Sequence, residues 1–175
     1  RGSAWLGRSP WGGDAFFAGQ MTEVRIWNVT RSADEIKRTM GTRLTGTEAG
    51  LFRYFRMDEK STCNGWLQDL SGHNPAAVGG TALYSLSGPK LAQSASAPGG
   101  LSFDGVTDHL KLPTLNADFS NGFTLEAWVY HDSVAMWSRI FDLGNGIAKD
   151  NIVLARSGTS NNLNLSVYKN GIAEW

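Results

Sequence analysis

Three histidines and two isolated glutamates are among the side chains in this sequence that could carry out catalysis. Each histidine lies beside a predicted turn or strand end, outside any motif for nucleophilic catalysis, so surface positions are favoured for His73, His109 and His131. Ordinary glycoside hydrolysis needs two carboxylates that flank the scissile bond. Glu23 and Glu126 each stand alone in a predicted strand. We therefore predict that the protein is not an enzyme.

Two carboxylates flank a predicted tight turn in residues 104–108, which read Asp-Gly-Val-Thr-Asp. Carboxylate oxygens on loops are ligands that Ca²⁺ prefers. Asp104 and Asp108 are thus candidate calcium ligands. The alternative is that Asp104 caps a turn at Gly105 while Asp108 is solvated.

Two tryptophans, Trp11 and Trp137, lie in predicted loops, where an exposed indole can stack on a sugar ring. Asn145 and Asn161 lie in other predicted turns and could add hydrogen bonds to a ligand held there. The sequence thus predicts a ligand site at Trp11, Trp137, Asn145 and Asn161. The alternative for each indole is packing against a neighbouring loop.

The elements that must position these residues are short strands separated by turns rich in Gly, Asn and Ser. Runs of apolar or alternating residues predict strands at 4–8, 21–28, 51–57, 101–103, 109–112, 123–130, 139–143, 152–155 and 163–168. In the 21–28 strand, alternation puts Thr22, Val24 and Ile26 on one face. Residues 58–80 are predicted to be loop-like around a short segment at 66–70, and 81–100 to be a long connection.

One short helix interrupts this series. Ser32-Ala-Asp-Glu35 has the spacing of a capping box, which predicts a helix at about 33–40. Strands at this spacing with almost no helix are typical of a sandwich. We predict an all-β fold, an antiparallel β-sandwich with one short helix.

The composition excludes several classes of protein. The chain has 175 residues, enough for one large sandwich or parts of two, and its 16 basic and 16 acidic residues cancel. No strong field therefore indicates nucleic acid as a partner. No apolar run approaches the roughly 18 residues of a membrane-spanning helix, so no membrane insertion is expected. Cys63 is the one cysteine, which excludes an internal disulfide and a Cys/His zinc cluster.

Four motifs carry a family resemblance, and they fall in a consistent order. They read F-x-G-x-x-x-E-V-R-I-W-N followed by R-S-x-x-E-I at 17–36, L-T-G-T-E-A-G-L-F-R-Y-F-R-M-D-E at 44–59, L-S-F-D-G-V-T-D at 101–108 and F-T-L-E-A-W at 123–128. Together they resemble a laminin-G-like jelly roll of the concanavalin A-like lectin/glucanase superfamily.

The resemblance implies a jelly-roll fold and places Asp58 at the start of the same module as Asp104 and Asp108, as a third candidate calcium residue. It also divides the chain into a first part, residues 1–47, similar to the end of one module, and a second part, residues 48–175, similar to the beginning of the next. Three explanations stay open: a slice of a tandem array, one sandwich closed by both parts, or neighbouring chains that complete one another by strand addition.

The resemblance further implies a non-catalytic adhesion module, or one that binds carbohydrate or glycoprotein, in a larger extracellular or cell-surface protein built of repeated modules. Its partners would be a glycan or glycoprotein and neighbouring modules or copies of itself. The alternative function is a structural building block of a surface fibre or sheath, completed by strand addition between units.

Overall fold

The chain folds as two antiparallel sheets packed face to face, with one short helix. The computed structural model describes residues 2–58, 62–63, 65–85, 99–147 and 149–173. The predicted all-β sandwich with a single short helix is confirmed for this part of the chain. Most of the predicted connection at 81–100 lies outside the described residues.

The strands and the helix follow one another in the order expected from the sequence, with several short additions. In chain order they are β1 (Ser3–Leu6), β2 (Ala18–Trp27), α1 (Ala33–Thr39), β3 (Leu51–Phe55), β4 (Thr62–Cys63), β5 (Trp66–Leu67), β6 (Ala76–Gly79), β7 (Leu83–Ser85), β8 (Gly100–Asp104), β9 (His109–Leu112), β10 (Thr124–His131), β11 (Arg139–Gly144), β12 (Ile152–Arg156), β13 (Leu163–Lys169) and β14 (Ile172–Ala173).

The larger sheet has the strand order β14-β13-β12-β11-β1-β9-β6-β5-β4. Its strand β1 comes from the first part of the chain and lies between two strands of the second part, with Ala4 opposite both Leu143 of β11 and Leu112 of β9. The side chains of Ala4 and Leu6 point into the core, where they are buried.

The smaller sheet is built around β2, also from the first part. β2 pairs along its length with β10, from Trp27 opposite Thr124 to Gly19 opposite His131. Its other edge is shared by two strands: β3 pairs near its C-terminal end and β8 near its N-terminal end. In each sheet, a strand of the first part lies between strands of the second part. The division of the chain into two modules between residues 47 and 48 stays a prediction.

A bulge in β2 makes the predicted alternation wrong at Met21. Between the pairs Arg25–Glu126 and Thr22–Trp128, β2 has one more residue than β10. Glu23 lies in this bulge with φ of 54°, in the left-handed region. The extra residue reverses the order of the faces, so Met21 packs in the main core with Val24 and Ile26.

The prediction of a loop over 58–80 is also partly wrong. Ala76–Gly79 forms β6, which pairs with β5 and with β9 in the larger sheet. The strand consists of Ala, Ala, Val and Gly, and only Ala76 and Val78 face the core. Such small residues do not give the apolar alternation by which a strand is recognised in a sequence. Its pairing partners, which are distant in the sequence, therefore decide its structure.

The predicted capping box is confirmed and explains where α1 begins. Ser32 Oγ accepts a hydrogen bond from Glu35 N at 3.3 Å, and Ser32 N donates to Glu35 Oε2 at 2.7 Å. Asp34 and Glu35 lie in the first turn and Lys37 and Arg38 in the last, which complements the helix dipole. The helix has no buried residue, so its ends are important for its stability.

We expect Ser32→Ala to lower the free energy of unfolding by about 1 kcal/mol, because the hydroxyl that accepts from Glu35 N at the start of α1 is lost, while the backbone N–H of residue 32 can still donate to Glu35. Ser32→Asp restores a capping acceptor and serves as the control. Urea denaturation of the three proteins gives the comparison, and equal midpoints for wild type and Ser32→Ala would contradict the expectation.

Candidate ligand-binding site

Arg139 links the two loops that carry the predicted tryptophans. Arg139 is the first residue of β11, and its side chain is 8% exposed. Its Nη1 donates to the carbonyl oxygen of Trp137 at 2.9 Å, and its Nη2 donates to Asp14 Oδ2 at 2.6 Å. Its guanidinium carbon lies 5.2 Å from the ring centroid of Trp11, a distance typical of a cation–π contact.

The loop at residues 9–14 holds Trp11 in place by its own hydrogen bonds. Ser9 Oγ donates to Asp14 Oδ2 at 2.7 Å and accepts from Trp11 N at 3.0 Å. The half-buried indole also contacts Tyr168 of β13, with ring centroids 5.9 Å apart. Trp11, Arg139, Trp137 and Tyr168 are called the Trp11 platform below.

Trp137 and Asn161 lie on two adjacent loops. Trp137 is 37% exposed, and its backbone N–H donates to the carbonyl oxygen of Gly158 at 3.1 Å. Asn161 lies with Gly158 in the hairpin tip between β12 and β13, and its Oδ1 accepts a hydrogen bond from Arg156 Nη2 at 2.6 Å. Because Asn161 is exposed, its side-chain amide nitrogen can reach a ligand. The structure thus brings Trp11, Trp137 and Asn161 into loops joined by hydrogen bonds.

Asn145 lies away from the other three candidates. It follows the last residue of β11, and this six-residue strand puts about 20 Å between its ends. There Asn145 Oδ1 accepts from Gly2 N at 2.9 Å. Asn145 lines a separate shallow pocket of about 490 Å³ with Ile147, Lys149, Asp150, Asn170 and Gly171.

A buried carboxylate supports the platform from the sheet beneath. Asp142 is fully buried; its Oδ1 accepts from Asn151 Nδ2 at 2.7 Å, and its Oδ2 lies 3.5 Å from Arg139 Nε. Burial raises the pKa of Asp142 to about 6, against the opposing effect of Asn151 and Arg139. Sequence analysis missed Arg139 and Asp142, because their contacts to residues 9–14 and 151 depend on the assembled sheet.

We expect Asp142→Asn to change how stability depends on pH. Because the pKa of Asp142 is raised in the folded state, its stabilising contribution is present below the unfolded value of 3.8 and is lost as pH rises through about 6. The variant cannot ionise, so it should gain stability relative to wild type between those values, by up to about 1.4 kcal/mol per pH unit. Denaturation midpoints of both proteins from pH 4 to 8 test this, and a constant difference would contradict it.

The two candidate calcium ligands in residues 104–108 lie together and are hydrogen-bonded within the turn. Asp104 Oδ1 accepts from the N–H groups of Val106, Thr107 and Asp108 at 2.8, 2.8 and 2.9 Å. These hydrogen bonds hold the pKa of Asp104 well below its usual range. Asp108 accepts from Asp104 N at 2.9 Å and from Thr81 N at 2.6 Å.

Asp58, the third candidate, forms ion pairs with Arg56 and, at 3.6 Å, with Arg43. Across the residues that the structure describes, no group of three or more His, Cys, Asp and Glu side chains could hold a metal ion. The turn at 104–108 provides two carboxylates, those of Asp104 and Asp108. Calcium binding at this turn stays a prediction.

Glu23 and Glu126, isolated in the sequence, meet across β2 and β10. Arg25 lies between them, with Nη2 2.8 Å from Glu23 Oε2 and Nη1 3.3 Å from Glu126 Oε2. Arg31 Nη1 lies 2.7 Å from the other oxygen of Glu126. Each carboxylate is thus bound by arginine in a buried ion network.

A groove of about 350 Å³ follows the free edge of β10. Leu125, Ala127 and Val129 of β10 line it, together with Leu163 of β13, which is 54% exposed. In the described sheet, β10 pairs with β2 on one side and with no strand on the other. This groove is a second concave surface. It is mainly apolar, whereas the Trp11 platform combines aromatic side chains with a charged one.

Comparison with known families gave one match. A laminin G family model, described as the concanavalin A-like lectin/glucanases superfamily, matches residues 1–37 and 104–174, which together are more than half of the chain. Searches of the curated proteins and of the solved structures gave no match. In the described ranges, no helix has the length and apolar character needed to cross a membrane.

Proposed function

Because the chain belongs to the concanavalin A-like lectin/glucanases superfamily, we propose that it is a non-catalytic module for adhesion or for binding carbohydrate or glycoprotein. It would act in a larger extracellular or cell-surface protein, the usual setting of laminin G-like domains. The fold alone does not specify a ligand. The observation that carries the proposal is the Trp11 platform.

The platform has the features that a saccharide needs. Trp11 is half-buried and held by Arg139 and Tyr168, so its indole is fixed before a ligand arrives, which lowers the entropy lost on binding. Trp137 lies on the adjoining loop with its side chain partly exposed. Asn161 on the neighbouring hairpin tip can hydrogen-bond a sugar hydroxyl. Apolar ring faces beside polar groups are suited to a pyranose, which has both.

Glycan-array binding followed by titration calorimetry tests this proposal. We expect Trp11→Ala and Trp137→Ala each to weaken binding about tenfold or more, since aromatic anchors dominate such interfaces. Trp66→Ala is the matched control, because Trp66 is 51% exposed on β5, far along the sheet order from β11. Asn145→Ala tests whether the ligand extends to the other end of β11. Unchanged affinity in both platform variants would overturn the proposal.

Calcium at Asp104 and Asp108 is part of the proposal, since both carboxylates lie on one loop. We expect calcium to raise the melting temperature of the wild-type protein and a chelator to reverse the rise. The rise should disappear in Asp104→Ala, measured as the difference with and without calcium within each variant. A melting temperature that is the same in calcium and in chelator would count against the site.

The alternative function is a structural building block of a surface fibre, completed by strand addition between units. The observation in its favour is that the first part of the chain supplies an interior strand to each sheet. Light scattering tests it: assemblies whose mass grows with protein concentration would support it, and a single-chain mass at every concentration would contradict it.

A further inference from the structure

The second part of the chain lacks an interior strand in each sheet until the first part fills the gap. In the larger sheet β1 separates β9 from β11, and in the smaller sheet β2 separates β8 and β3 from β10. Without these two strands, pairing between β9 and β11 and between β8 and β10 is absent. The first part is thus a donor of two strands, and the second part is its acceptor.

The contacts between donor and acceptor are those of a core. Leu6, Phe17, Met21, Val24 and Ile26 of the donor are fully buried in the cluster that also contains acceptor residues. At the edge of this interface Arg31 of the donor pairs with Glu126 of the acceptor at 2.7 Å. The acceptor therefore recognises the donor by apolar shape, strand register and charge.

The connection between donor and acceptor is a loop without regular structure, from Met40 to Gly50. Gly46 and Gly50 in this loop have φ of 94° and 81°, in the region that favours glycine. A Cβ at Gly46 would lie 2.0 Å from the carbonyl oxygen of Leu70, so glycine is needed for the closed path of the chain. An opened loop would release both requirements.

We propose that the first part is exchanged between copies, so that the acceptor of one copy takes up β1 and β2 of a second copy. This inference rests on the structural function proposed above. The partner is a second copy of the chain, and the contacts are those of β1 and β2 with the acceptor. The exchanged and the closed forms share the same donor–acceptor contacts, so they differ in free energy mainly through the loop and the entropy of association. Protein concentration then sets their proportions.

The exchange joins copies head to tail. Each copy has one donor and one acceptor on different surfaces, so the contact is heterologous and extends into open chains unless the rotation between copies closes a ring.

A disulfide across the donor–acceptor interface tests the proposal in the full chain. Gln20 of β2 lies opposite Tyr130 of β10 in an antiparallel pair, where Cα atoms are close enough for a disulfide. In a Cys63→Ser background, Gln20→Cys with Tyr130→Cys is oxidised at increasing protein concentration and then denatured. We expect covalent dimers and larger species whose share rises with concentration, because exchanged donors are bonded to another chain.

The control and the second pair make the result unambiguous. Val153→Cys with Ser166→Cys joins β12 to β13 within the acceptor and should give the single-chain mass only. Trp5→Cys with Lys111→Cys crosses the interface in the larger sheet and should reproduce the covalent ladder, even if the first pair does not fold. A single-chain mass for both interface pairs at every concentration would overturn the exchange.

Light scattering on the same samples separates this outcome from failure of the structural function itself. Assemblies without a covalent ladder would refute the exchange and leave the structural function in place, with the free edge of β10 as the contact. No assembly and no ladder would refute both.

Discussion

Arg25→Met is expected to lower the free energy of unfolding by about 3–5 kcal/mol, because it leaves the buried carboxylate of Glu23 without its cation, while Glu126 keeps Arg31. Arg25 is 1% exposed and lies within 2.8 Å of Glu23. Its guanidinium also donates to the carbonyl oxygens of Thr39 at 3.0 Å and Thr42 at 2.5 Å. The substitution therefore also removes two hydrogen bonds that hold the end of α1 and the residues after it.

The remaining partners cannot replace Arg25. Glu23 keeps the hydroxyl of Tyr54, which donates to Glu23 Oε2 at 2.7 Å. Burial and the charge of Glu23 raise the pKa of this phenol, so it stays a neutral donor. A neutral donor does not compensate a buried negative charge.

Urea denaturation measures the effect against two matched variants. Arg38→Met, on the exposed side of α1, should change stability by less than about 0.5 kcal/mol. Adding Glu23→Gln to Arg25→Met should recover part of the loss, since it removes the unpaired charge. A loss in Arg25→Met as small as that in Arg38→Met would contradict the account of the network.

Phe17→Ala is expected to cost about 3–5 kcal/mol, the range for truncating a buried aromatic side chain. Phe17 is fully buried between two aromatic residues of the second part of the chain. Its ring centroid is 5.6 Å from that of Phe103 and 4.9 Å from that of His131, both in edge-to-face geometry. The ring thus fastens the first part of the chain to the second.

The matched control is Val106→Ala, at the tip of the 104–108 turn, where the side chain is 69% exposed. Its stability should stay within about 0.5 kcal/mol of the wild-type value. If the two parts were independent modules, Phe17→Ala would leave the unfolding of the second part unchanged. Thermal unfolding followed by circular dichroism would then show one unaltered transition.

Local signals in the sequence were enough to predict α1 and most strands. The capping box of Ser32 and Glu35 depends on residues three apart, and so it could be identified without knowledge of the fold. The alternation of Leu125, Ala127 and Val129 correctly predicts which side of β10 packs on the core. Each pattern is complete within a single element.

Features that depend on distant partners could not be predicted. The bulge at Glu23 occurs where β2 changes its partner from β3 to β8, and no local residue type indicates it. The same limit applies to the candidate site. The sequence was enough to identify Trp11 and Trp137 as candidates. Arg139, which joins their loops, could not be identified, because it lies 128 positions from Trp11 in the sequence and is brought to it by β11.

Hydrogen exchange tests most directly the central claim that both parts of the chain build one sandwich. Mass spectrometry of the full chain in dilute solution compares peptides covering β1 and β2 with peptides covering β8–β11. One sandwich predicts equal, slow exchange in both groups, because the amides of β1 and β2 are bonded to strands of the second part. Fast exchange in residues 3–6 and 18–27 beside a protected second part would contradict the claim.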